Sequence, residues 1–149
     1  MLTVFWGVDY TRSDFREKNG SRLHRIMEWA KLSRQSGQVY VIPPNIIDFR
    51  LTTGVPILVG TKIPANKFQK DNDYFGEWKQ RLTVVIAFYS QTTATLTVLK
   101  DLCEYEVSHL LIQSPHPLID ILKAYTLHHV LDWRVIDLHA IRKDLFSSG

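Results

Sequence analysis

The chain has 149 residues and a formal net charge of +3, with 45% hydrophobic and 22% charged residues. That length suits one domain, since single cores usually hold roughly 100–200 residues. Ordinary apolar content with only seven Gly and six Pro excludes a disordered chain, a coiled coil and a collagen-like repeat.

The charge is unevenly spread. Residues 11–36 carry seven Lys/Arg against three Asp/Glu, whereas residues 82–149 carry five against seven. A basic first half fits an anionic partner, although a solvated helix face produces the same pattern. The single cysteine, Cys103, excludes an intrachain disulfide and a cysteine-built zinc site, and points to a reducing compartment. Met1–Trp6 is apolar but lacks a basic leader and is interrupted at Asp9, so it does not read as a signal peptide. The apolar runs are strand-length, well short of the ~20 residues a spanning helix needs. A soluble, cytoplasmic protein is the expectation.

In chain order, Leu2–Tyr10 is rich in β-branched and aromatic residues and predicts a buried strand. Thr11–Asn19 reads as a polar loop. Ser21 is placed to cap a helix whose apolar stripe is Leu23, Ile26, Met27 and Ala30, with Gly37 beyond its end. Val39–Ile42 predicts a short strand stopped by Pro43-Pro44, and Val55–Val59 an edge strand interrupted by Pro56. Residues 61–80 form a polar excursion with embedded aromatics and a short helix near 74–80. Arg81–Tyr89 reads as a strand buried on both faces. A helix from Ser90–Thr93 to about Tyr105, a strand at Val107–Ile112, and a helix from Ser114 through Tyr125 follow. Trp133–Leu138 predicts the last strand, and Ala140–Phe146 a short terminal helix or a tail.

Strand and helix alternating in this way is the pattern of right-handed βαβ crossovers. The fold expected from it is a single α/β domain over residues 1–149. It would be a three-layer αβα sandwich on a mostly parallel sheet of five or six strands, Rossmann-like or flavodoxin-like, with one edge strand permitted to run antiparallel.

Such sheets bind ligands beyond the carboxyl ends of their strands, where helix N-termini point inward. The candidate site follows from that geometry. Ser90, Thr92 and Thr93 offer hydroxyls for an anion cradle, joined by Ser114, and Arg12, Arg16, Arg22 and Arg25 supply charge. The commoner role of a Ser/Thr-rich turn is simple N-capping. Neither a GxGxxG nor a P-loop pattern is present. Asp9, ending the first apolar run, is a carboxylate that could hold Mg²⁺ for phosphoryl chemistry, or could merely cap a loop. His116 between two prolines could act as a general acid or base, or serve as a turn residue. His128-His129 read as helical neighbours about 100° apart, unsuited to one metal. Cys103 falls on an apolar stripe and reads as a buried structural thiol.

Three functions are consistent with these residues. One is binding of a phosphate-bearing ligand, a nucleotide or a nucleic acid. A second is a metal-dependent phosphodiesterase or nuclease using Asp9. A third is a non-catalytic interaction subunit or homodimer, docking through Phe68, Tyr74, Phe75 and Trp78.

Overall fold

A computed structural model of the protein describes residues 12–60 and 72–147, with side chains described from 21 and from 75 in the two opening helices. The predicted strand at Leu2–Tyr10 and most of the excursion therefore lie outside the described residues.

Helix α1 spans Arg12–Leu32. It starts well before Ser21, so the expected polar loop is helical from residue 12. Its inner stripe of Ile26, Met27 and Ala30 is buried at the i, i+1, i+4 spacing of one helix face. Strand β1, Tyr40–Val41, is short and followed by Pro43-Pro44. Helix α2, Phe49–Thr53, ends at Gly54 with φ +74. There the Arg34 guanidinium lies against the glycine and donates to the Thr53 carbonyl at 3.2 Å. The expected edge strand at Val55–Val59 reduces to one parallel bridge, Tyr40 to Ile57.

Helix α3 runs Asn72–Tyr89 and corrects the strand expected at Arg81–Tyr89. Trp78, Leu82, Val85 and Phe88 recur every three or four residues, which is a helical stripe. Val85 and Phe88 are buried while Ile86 between them is 51% exposed, which a strand buried on both faces forbids. Thr83 is accommodated by donating its hydroxyl to the Lys79 carbonyl at 2.8 Å, the usual fate of a mid-helix threonine. Helix α4, Leu96–Cys103, is capped by Thr95, whose side chain accepts from the Val98 N–H.

Strand β2 is His109–Gln113, and α5, Ile119–Leu122, passes into a 3₁₀ turn at Lys123–Tyr125. The chain then enters β3, Thr126–Val130, a stretch for which the sequence reading gives no strand, turns through Leu131-Asp132, and returns as β4, Trp133–Asp137. Leu131 has φ +53, an uncommon conformation for a branched residue. Helix α6, Leu138–Leu145, is capped by Asp137, which accepts from the Ala140 N–H.

The sheet order is β1-β2-β4-β3. Among the described strands, β1 and β2 pair in parallel, and β4 runs antiparallel to both β2 and β3. The expected mostly parallel sheet of five or six strands is thus overturned. The fold is a small α+β arrangement on a four-stranded mixed sheet. The sheet alternates its burial between two cores, as the strand period of two requires. Leu110, Ile112 and Ile136 pack with residues of α3, α4 and α6. Leu111, Val135 and Trp133 pack with residues of α1 and α2 on the other face. Among the described residues, no helix is long and apolar enough to cross a membrane.

Candidate functional site

Asp9 lies outside the described residues, and so does the Mg²⁺ role read for it. Among the described residues, no group of three or more His, Cys, Asp or Glu is placed to hold a metal ion. Arg12 and Arg16 share α1 with Arg22 and Arg25, but their side chains are not among those described.

The Ser90–Thr93 turn does not open a helix. It closes α3, and α4 begins only after Thr95. The Thr93 hydroxyl donates to the Ala87 carbonyl at 2.7 Å. The Thr92 N–H donates to Ser90 Oγ at 3.3 Å, and the Ser90 and Thr92 hydroxyls lie 3.1 Å apart. A helix C-terminus presents carbonyl oxygens and the negative end of the helix dipole. The electrostatics are therefore the reverse of those an anion cradle needs. Gln91 ties this turn to the Pro115 carbonyl at 3.0 Å, and Ser114 donates its backbone N–H to the Asp132 carbonyl at 2.8 Å.

His116 is buried at the same junction. Its Nε2 pairs with the Phe88 carbonyl at 2.8 Å, and its Nδ1 accepts from the Leu118 N–H at 3.1 Å. Only the neutral tautomer protonated at Nε2 makes both bonds. Burial pushes its pKa down, partly opposed by the Phe88 hydrogen bond. Both nitrogens are thus occupied in closing the end of α3, and neither faces a substrate.

A second polar cluster, unrecognised in the sequence, sits at the opposite end of the sheet. The Ser108 hydroxyl accepts from the Val39 N–H at 2.9 Å and lies 2.7 Å from His109 Nδ1. His109 faces Asp137 across the β2–β4 ladder and stacks on Tyr40 at 4.7 Å. Burial lowers its pKa, with Asp137 opposing and His139 adding to the effect. Nearby, the Arg142 guanidinium bonds the carbonyls of Cys103, Tyr105 and Val107 at 2.8, 3.2 and 3.1 Å. These groups adjoin an open cleft of about 540 Å³. Ser108 is held by the Val39 backbone and Arg142 by three carbonyls, so both act as braces. Cys103 is buried, and burial raises its thiol to about 11, with Arg142 opposing.

The arginines gather elsewhere. Arg22, Arg25 and Trp29 recur along α1 at helical spacing, on the flank that meets β3. The Trp29 and His128 rings are stacked 4.8 Å apart and 1° from parallel. His128 is lowered in pKa first by burial, then by the neighbouring charges of His129 and Arg25. Arg22 meets Asp132 at 3.4 Å, and Gln113 also donates to that carboxylate at 2.9 Å. Arg25 forms no ion pair among the described residues. This face lies on the α1 side of the sheet, whereas the Ser90–Thr93 turn and His116 lie on the α3 side. Asp132 bridges the two sets, pairing with Arg22 through its carboxylate and accepting the Ser114 N–H at its carbonyl, whereas the Ser90–Thr93 turn and His116 close α3 on the other face.

Of the aromatic segment, Phe68 lies outside the described residues, and the Tyr74 side chain is not among those described. Phe75 and Trp78 stack at 5.9 Å, and the Trp78 indole donates to the Gly60 carbonyl at 2.8 Å. No family model, curated protein or solved structure matches the chain.

Proposed function

We propose that the chain binds a phosphate-bearing ligand along the face where α1 meets the β3 edge, in a reducing, cytoplasmic setting. The observation that supports this most is the Trp29–His128 ring stack on the flank of α1 that also carries Arg22 and Arg25. Arg25 lies close enough to His128 for its charge to lower that pKa, and it forms no ion pair among the described residues. An unneutralised guanidinium beside an aromatic stack sets up a positive potential that an anion relieves. Arg22 and Arg25 keep the ligand role first read for them; Ser114 meets the same Asp132 that pairs with Arg22, while Ser90, Thr92 and Thr93 lie on the other face.

The test is fluorescence anisotropy of a labelled oligonucleotide across a salt series. Phosphate contacts make affinity fall steeply with ionic strength. Replacing one phosphate-contacting cation reduces the logarithmic salt slope by about 1, and Arg25→Ala is expected to do so. Affinity indifferent to salt, or an unchanged slope in Arg25→Ala, would overturn the reading.

A further inference from the structure

Resting on that reading, we propose that the ligand is a single strand of nucleic acid, with one base continuing the Trp29–His128 ring stack and phosphates meeting Arg22 and Arg25. Two features carry the step from phosphate to strand.

The first is the ring pair. Two rings stacked 4.8 Å apart and 1° from parallel extend naturally by a third flat ring on the outer flank. Every base offers such a face once it is unstacked, and base–aromatic stacking is the usual device of single-strand binding. Trp29 and His128 are both half-buried and Leu127 beside them is exposed, so the stack reaches the surface along β3.

The second is length. Arg22 to Trp29 covers ~10 Å of helix at ~1.5 Å per residue, alongside the five-residue strand β3. A mononucleotide places its phosphate at one point of that path. A strand carries phosphates along all of it.

The experiment compares four probes by competition against labelled oligothymidylate of ~12 residues, a length within known single-strand site sizes. The probes are the unlabelled strand, the same length as duplex, an abasic sugar-phosphate polymer, and inorganic polyphosphate. The strand is expected to compete about tenfold or more better than the abasic polymer and the duplex, the difference being the stacked base. His128→Ser is expected to abolish that preference, and His128→Phe, which restores a ring at the position, to retain it. Far-UV circular dichroism confirms that each variant is folded. Equal competition by all four probes would overturn the strand proposal and leave phosphate binding standing. Binding of the strand with the preference intact in His128→Ser would overturn the stacking role. Failure of every probe, polyphosphate included, would overturn the underlying phosphate reading itself.

Discussion

Replacing His116 by Leu removes the side chain that closes the C-terminal end of α3. The Phe88 carbonyl loses its donor at 2.8 Å and the Leu118 N–H its acceptor at 3.1 Å. The site is buried, His116 itself being 6% exposed, so water does not readily replace either partner. Each orphaned buried group costs about 1–3 kcal/mol, so the two together cost about 2–6 kcal/mol. Leucine is close to histidine in volume, so a cavity adds little. The two bonds can be separated. His116→Gln offers an amide N–H toward Phe88, and His116→Asn an amide oxygen toward Leu118, so each is expected to recover about half the loss. Urea unfolding measures these differences through the midpoint at constant slope. The same residue gives a pH signature. Burial holds its pKa below 6.5 in the folded state, so between the folded pKa and the unfolded one only the unfolded chain takes the proton. Stability is then complete above pH ~6.5 and falls as the pH drops, by at most about 1.4 kcal/mol per pH unit for this group. His109 and His128, also lowered, add to the wild-type slope. His116→Leu is expected to reduce the slope without abolishing it. A variant as stable as wild type, or an unchanged acid slope, would refute the assignment of both ring nitrogens to the fold.

Two further substitutions test the frame. Leu131 has φ +53 and a side chain 64% exposed, so Leu131→Gly relieves a backbone cost of about 1–2 kcal/mol while losing little burial. After the greater flexibility of glycine in the unfolded chain, a net gain of about 0.5–1 kcal/mol is expected in urea titrations; a loss would count against strain at this turn. Arg142→Met keeps much of the apolar stem but abandons the carbonyls of Cys103, Tyr105 and Val107. Charged hydrogen bonds contribute about 1.5–3 kcal/mol each, and partial exposure discounts them, so a loss of about 2–4 kcal/mol is expected. Thermal unfolding unchanged from wild type would show that water serves those carbonyls equally well.

How far the sequence could be read depended on the kind of signal. Val107–Ile112 and Trp133–Leu138 are β-rich runs bounded by polar residues, and both become strands, β2 and β4. The Leu23–Ala30 stripe was legible from helical spacing, while Ala140–Phe146, open between helix and tail, is helical in α6. Arg81–Tyr89 misled because a short apolar run has no distinguishing period of its own. Joined to Phe75 and Trp78 it shows the three- and four-residue spacing of α3. Strand β3 was hidden for a different reason. Its His128 turns inward onto Trp29 while Leu127 is exposed, which inverts the usual polarity. Its hairpin turn is Leu131-Asp132, without the Asn-Gly or Asp-Gly that announces one.

The candidate site shows the same division. Sequence supplied the basic residues of α1 and the lone buried thiol, because charge and cysteine number are properties of composition. It could not supply which groups stand together. Ser90–Thr93 changes from a helix start to a helix end once α3 extends through Tyr89, and with it the sign of the local dipole. The pairing of His128 with Trp29 joins residues about a hundred positions apart. Local sequence determined which segments had to bury an apolar face, since burial follows side-chain type and period. Strand direction, and therefore the gathering of polar groups at each end of the sheet, was decided only by tertiary packing, because that depends on where each segment finds a neighbour with matching hydrogen bonds and volume.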